Sequence, residues 1–434
     1  MLRKSRMNVG AGARGLRKLS GFVLIPMLSL VSPLFAFPAI TSQYGASGWA
    51  AIAIGQSFGS TAAIVVELGW GLSGPQRLAR MRDSNRRQLF ATALRSKLVT
   101  VLPLALAAAV VAYLVSPAFQ LESALTAIGA TAFGLTASWY FIGAGAPFKL
   151  FVLDAIPRLV GVLFAASAMI LGAGLMVYPI AGLLLPSFLA TVLATSHLKV
   201  GRKDWQLARR IGTVLVLKTQ WYAVVARATS SIYISLPAGL VAIVAPDAVV
   251  IFTAADRLQR MYLSVLAAVP NALQGWVGRP VTQSDRMARA SRAILWNAIF
   301  GVLVGAAFAA AVPYASELIF SGVATVAPEI GVLSGCLIAV VCTSRATGNL
   351  GLVAARRIGF ITTSAIVGSL VGLPMILLLS FHFGVVGALV GAISAELAVL
   401  AVQVLGLVRA KSETKRVRQR ASGENHDLTR ERMS

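Results

Sequence analysis

The residues with the most chemistry to offer are charged groups in apolar surroundings. In Phe252-Thr253-Ala254-Ala255-Asp256-Arg257-Leu258-Gln259-Arg260-Met261-Tyr262-Leu263, one carboxylate and two guanidiniums interrupt a stretch that otherwise reads as a membrane-spanning helix. A charge at that depth costs ~2.5–3.5 kcal/mol on insertion scales, so it marks lipid-edge strain, a packed interface or a wet cavity. Asp256 and Arg260 are four apart and share a helical face, where they can pair; Arg257 and Arg260 are three apart, so that face stays net positive. Arg227, with Thr229, Ser230 and Ser231 beside it, and Arg345 add cations from two other apolar segments, while Glu67 and Glu396 add acids. Arginines that converge in a low-dielectric cavity form an anion site.

Each of these groups also has a purely structural reading. Arg227 sits about two turns into its helix and can snorkel to the interface. Asp256 and Arg260 can lock their helix to a neighbour. Glu67 can pair with Arg77 or Arg80, and Glu396 can accept an interhelical hydrogen bond.

Composition decides what kind of scaffold positions these residues. The chain has 434 residues, 57% hydrophobic and 12% charged, with a mean hydropathy of +0.79. A soluble domain carries about 25% charged residues, so this is an all-α polytopic membrane protein. The net charge of +24 suggests a nucleic-acid binder only until the arginines are mapped. They lie between apolar spans and at the ends, which is a topology signal. Cys336 and Cys342 both sit in apolar sequence, and His197, His382 and His426 are scattered, so no metal site, disulfide or cofactor is expected. No Walker loop is present, and Gly143-Ala144-Gly145 is too short for a dinucleotide fingerprint, so the sequence does not read as an enzyme.

Apolar runs place about twelve spans, near 20–40, 49–73, 98–116, 124–144, 157–175, 179–197, 221–244, 248–276, 293–313, 331–350, 359–380 and 385–408. Arg14, Arg17 and Lys18 before the first run resemble a secretory leader, but the run is nearly bilayer-length and reads as a retained helix. Pro26, Pro33 and Pro38 are expected to interrupt it, and Trp139-Tyr140-Phe141 is expected at the membrane interface. Alternate loops (41–48, 117–123, 176–178, 245–247, 314–330 and 381–384) contain no Lys or Arg; nearly all 39 basic residues fall in the other set and at the ends. This asymmetry predicts that both termini are cytoplasmic.

The chain also reads as a duplication. A lone Asp among arginines follows the second and the eighth span, in Arg80-Met81-Arg82-Asp83-Ser84-Asn85-Arg86-Arg87 and in Gln283-Ser284-Asp285-Arg286-Met287-Ala288-Arg289. The expected organisation is a basic cytoplasmic arm (1–16), two six-helix bundles (17–198 and 221–408) joined by a basic linker (199–220), and a disordered basic tail (409–434). Two halves of like orientation can rock about a site between them.

Three short stretches carry a family resemblance: Glu67-Leu68-Gly69-Trp70-Gly71-Leu72-Ser73-Gly74-Pro75-Gln76-Arg77-Leu78-Ala79-Arg80 leaving the second span, Trp139-Tyr140-Phe141-Ile142-Gly143 closing the fourth, and Phe252-Thr253-Ala254-Ala255-Asp256-Arg257 in the eighth. With the topology over about 17–408, the chain resembles the polysaccharide flippases of the multidrug/oligosaccharidyl-lipid/polysaccharide (MOP) exporter superfamily. Trp70, Pro75 and Gln76 depart from the usual pattern of that first stretch.

The resemblance implies alternating access around a cationic cavity. It implies as cargo a polyprenyl-diphosphate-linked oligosaccharide, moved to the outer leaflet of the cell membrane for surface or exopolysaccharide synthesis. A polymerase and glycosyltransferases are the partners it suggests. A diphosphate needs cations during crossing, for which Arg257, Arg260, Arg227 and Arg345 are the candidates. Glu67, Asp256 and Glu396 are the acids available for ion coupling. The competing readings are a multidrug/ion antiporter of the same superfamily, a peptidoglycan-precursor flippase, and a non-transporting membrane scaffold.

Overall fold

A computed structural model describes the backbone of residues 5–431 except 80, 267–268, 271–272, 274–275, 278–281 and 358; side chains are described from Phe35 to Ser412, apart from those residues and 72, 76, 79, 83–84, 147, 222–223, 226–234 and 411. No strand occurs among the described residues. Apolar spans in hydrocarbon must satisfy their backbone groups internally, which leaves helix as the local solution.

The helices are α1 (Ser5–Val66), α2 (Trp70–Ala79), α3 (Asp83–Val115), α4 (Gln120–Thr131), α5 (Ser138–Gly143), α6 (Pro147–Leu150), α7 (Ile156–Ile170), α8 (Leu185–His197), α9 (Arg202–Ile211), α10 (Thr213–Ser235), α11 (Pro237–Val244), α12 (Val249–Leu266), α13 (Gln283–Ile319), α14 (Pro328–Ala346) and α15 (Gly359–Glu431). Wider π-helical turns at Phe151–Ala155, Tyr178–Leu184 and Thr347–Leu352 lead into α7, into α8 and out of α14. Eight helical stretches among the described residues are long and apolar enough to cross a membrane.

Two of the longest helices fold back on themselves at a glycine. Gly45 has φ 64 and ψ −160, and Gly384 has φ 54 and ψ −126, conformations that a side chain disfavours. Around Gly45, Phe37 and Trp49 meet with ring centroids 4.8 Å apart, where a straight helix would separate them by roughly 18 Å. Around Gly384, Gln403 Nε2 donates to Ser364 Oγ at 3.4 Å, so the arms of α15 run side by side.

Several expectations are corrected. The helix carries through Pro26, Pro33 and Pro38 and turns at Gly45 instead. The basic stretch 77–97 is mostly helix, and Arg86, Arg87, Arg95 and Lys97 belong to α3. Residues 171–177 separate α7 from the next π-helical turn, and Tyr178 is part of that turn rather than of a connecting loop. The linker contains α9, and both the arm from Ser5 and the tail to Glu431 are helical. Trp139, Tyr140 and Phe141 are buried against Trp70, Phe90 and His197 rather than placed at a lipid interface.

The helix α1 packs on α3, α4 and α7 and also on α10, α11 and α12. The α13–α14 pair is close because small residues line it; a Cβ on Gly301 would stand 2.8 Å from Cys342 Cβ. Phe37, Trp49 and Phe320 form a buried aromatic plug, with Trp49 4.9 Å from Phe320 and Phe37 5.7 Å from it. That plug joins α1 to Phe320, the residue that follows α13.

Candidate functional site

Asp256, Arg260, Arg345 and Glu396 line one cavity of about 360 Å³. Helical spacing explains how. On α12, Phe252, Asp256, Gln259, Arg260 and Leu263 form a stripe; on α14, Leu337, Val341 and Arg345 recur every four residues; on α15, Leu389, Ala392 and Glu396 do the same at three and four. Pro237 of α11 and Ile376 of the other arm of α15 complete the wall. Among the described residues, every one that lines the cavity lies beyond residue 236, in the C-terminal helices.

Within the cavity, Arg260 Nε donates to Asp256 Oδ2 at 2.6 Å, the pairing expected from their spacing. Their side chains are 35% and 20% exposed, so the pair is wet on one side. Arg345 Nη1 donates to the carbonyl of Leu263 at 3.1 Å, tying α14 to α12 and holding its guanidinium at the cavity wall. Glu396 is partly buried, and Gln259, which also lines the wall, is buried. Two guanidiniums and two carboxylates thus share a small volume, so an entering ion competes with groups that already compensate one another.

Arg257 goes elsewhere. It does not line the cavity; its Nη2 donates to Gln56 Oε1 on α1, and Gln56 Nε2 donates to Tyr178 Oη at 3.0 Å. Consecutive helical residues diverge by about 100°, which lets Asp256 and Arg257 serve different neighbours. The same region of α1 makes further contacts to the C-terminal helices. Trp49 Nε1 donates to Thr253 Oγ1 at 2.9 Å, Ser57 Oγ donates to the Ser235 carbonyl at 2.7 Å, and Gly239 N donates to Ser57 Oγ at 3.0 Å. These bonds seal α1 against α10, α11 and α12.

Glu67 does not join the cavity. It follows the last turn of α1, its carboxylate against the Gly71 backbone and within electrostatic reach of Lys97. The side chain of Arg227 lies outside the described residues; its backbone belongs to α10. Of the seven sequence candidates, the structure brings four together.

Sequence reasoning passed over several polar groups. Gln56 is the lone amide in the Ala- and Ile-rich span 49–73, which was the available sign. Tyr178 hid in what reads as a turn. Lys97, grouped with the basic stretch, is 1% exposed and donates to the Thr136 carbonyl at 3.1 Å. Nearby, Asp154 accepts from Arg158 at 3.0 Å and from Thr136 Oγ1 at 3.2 Å. No group of three His, Cys, Asp or Glu suited to a metal ion occurs among the described residues.

No protein-family model and no curated protein matches this chain. Solved structures do match it. An inward-facing multidrug resistance MATE family transporter of the MOP superfamily aligns with a TM-score of 0.61 at 15% identity, covering 91% of this chain and 96% of that one. The eukaryotic MATE transporter AtDTX14 gives 0.61 at 15%, covering 93% and 99%. The lipid II flippase MurJ, in an inward closed conformation, gives 0.57 at 11%, covering 91% and 90%. The chain therefore has the fold of MOP superfamily transporters, as the resemblance in its sequence implied; at these identities the likeness concerns architecture and not cargo.

Proposed function

We propose that this protein is a flippase that carries a polyprenyl-diphosphate-linked oligosaccharide across the cell membrane by alternating access. The observation that carries the reading is the presence of Arg260 and Arg345 on the wall of one cavity within apolar helices. Guanidiniums offer planar paired donors that suit phosphate, and their cost at membrane depth is offset when they meet an anion. A cavity of about 360 Å³ accommodates a diphosphate and excludes a whole glycan, so the sugar moves only as the helices part.

The proposal includes about twelve spans with both termini cytoplasmic, halves at 17–198 and 221–408, and polymerase and glycosyltransferase partners. In that frame the Trp49–Thr253 and Gln56–Arg257 bonds close the outer side, and the cargo enters from the cytoplasm. The test is flipping of a fluorescent lipid-linked oligosaccharide by purified protein in vesicles. Normal flipping by both R260A and R345A would sink the phosphate role.

One observation favours a second reading. Asp256 and Glu396 share the cavity with the arginines, and carboxylates are the groups a multidrug/ion antiporter of this fold would use for a cationic cargo. Resistance to cationic drugs that is lost in E396Q, with no flipping of lipid-linked sugar, would select that reading.

A further inference from the structure

Between α8 and α10 the chain forms a helix, α9, with two unlike faces. Arg202, Lys203, Gln206, Arg209 and Arg210 are exposed, whereas Ala208 is buried and Trp205, Leu207 and Ile211 are half-buried. At about 100° per residue, the exposed side chains fall within an arc of roughly 120°, and Asp204 lies on the other side of the helix. Asp204 Oδ2 accepts from Gly201 N at 2.9 Å in the cap of α9. The side chains of Arg202, Lys203, Arg209 and Arg210 make no hydrogen bond or ion pair among the described residues. The exposed face therefore carries cations that nothing in contact neutralises.

The buried face fixes the depth at which those cations lie. Trp205 and Ile211 pack on a cluster that includes Phe90 and Leu94 of α3, and the Ala208 carbonyl accepts from Arg95 Nη1 at 3.3 Å. A turn further along α3 the exposed apolar surface begins, with Leu98, Val99 and Leu102. On the other flank, α10 starts at Thr213 and exposes Val214 and Leu215 at once. So α9 ends where lipid-facing surface starts on both neighbouring helices, which is the depth of phospholipid headgroups. Among the described residues, Val214, Leu217, Lys218 and Trp221 line a groove at the start of α10, apolar but for the Lys218 ammonium.

We propose that the exposed face of α9 binds anionic phospholipid, with Arg202, Lys203, Arg209 and Arg210 on the headgroup phosphates and the groove at Val214 and Trp221 against an acyl chain. Guanidiniums donate paired hydrogen bonds that suit phosphate. The occupant is a lipid rather than an acidic protein because unmatched cations and bare apolar side chains adjoin at one depth. An anionic phospholipid presents charge and hydrocarbon in that same order. The inference concerns the bilayer around the protein and stands whatever the Arg260–Arg345 cavity carries.

The experiment titrates phosphatidylglycerol, and in a parallel arm phosphatidylcholine, into the full-length protein in a neutral detergent and follows the thermal midpoint. Phosphatidylglycerol should raise the midpoint more than phosphatidylcholine does. R210Q should need about fivefold more phosphatidylglycerol for half the effect, the worth of one cation near an anionic surface. The quadruple variant R202Q K203Q R209Q R210Q should lose at least half of the rise and keep the wild-type midpoint without added lipid, because none of the four side chains bonds to the fold. The charge-preserving variant R202K K203R R209K R210K should keep the rise. Equal rises in wild type and the quadruple variant, or no rise beyond that with phosphatidylcholine, overturn the proposal. So does an equal rise with soluble polyglutamate, which would assign the face to an acidic protein.

Discussion

Arg257 on α12 donates to Gln56 on α1, 201 residues away, while Arg260, three residues further along the same helix, turns into the cavity to pair with Asp256. Neighbouring arginines on one helix therefore do different work: one holds α12 to α1, and the other faces a ligand-sized space.

Breaking the first relationship should destabilise the protein. Q56L leaves the Arg257 guanidinium without its acceptor and Tyr178 Oη without its donor, which costs about 2–3 kcal/mol by the usual penalty for a buried charged group. Thermal unfolding in detergent should show a lower midpoint. The Q56L R257M double variant should recover part of the loss, because no charge is then left unpaired.

Breaking the second should act on transport. R260A and R345A should reach the membrane in normal amounts and lose at least tenfold in flipping rate, a cut that a single lost charged contact supports. R260K should retain less than half of wild-type rate, since an ammonium cannot reproduce the guanidinium fork. Quantitative vesicle assays with matched protein content check both.

D256N tests whether Asp256 restrains Arg260. Removing its charge takes the Asp256 carboxylate contact away from Arg260, so a soluble diphosphate analogue should bind several-fold more tightly, measured by calorimetry on purified protein. Unchanged affinity would mean that anions do not reach Arg260.

The turn of α15 depends on Gly384. At φ 54 and ψ −126 a side chain is strained, so G384A should cost about 1–3 kcal/mol and shift the thermal midpoint down, although nothing else in the arms changes.

Much of the scaffold was legible in the sequence because hydrophobicity in a membrane is a local property. Long apolar runs, the basic residues grouped between them and the four-residue spacing of Asp256 and Arg260 each follow from the chain alone. The fold of MOP superfamily transporters was implied by short stretches and matches the solved structures. The course of individual helices was less legible: Pro38 is carried inside a helix, whereas Gly45 reverses the chain.

Only the tertiary structure decided which helix each polar face meets. Periodicity places Arg345 and Glu396 on faces of their own helices, yet nothing local says that both meet Asp256 and Arg260, or that Arg257 is drawn away to Gln56. The reason is physical. Lipid is as apolar as a packed helix face, so apolar residues do not distinguish lipid contact from protein contact. Packing of small residues and pairing of buried polar groups make that choice, and the partners lie tens to hundreds of residues apart: Lys97 with Thr136, Trp49 with Thr253, Arg345 with Leu263.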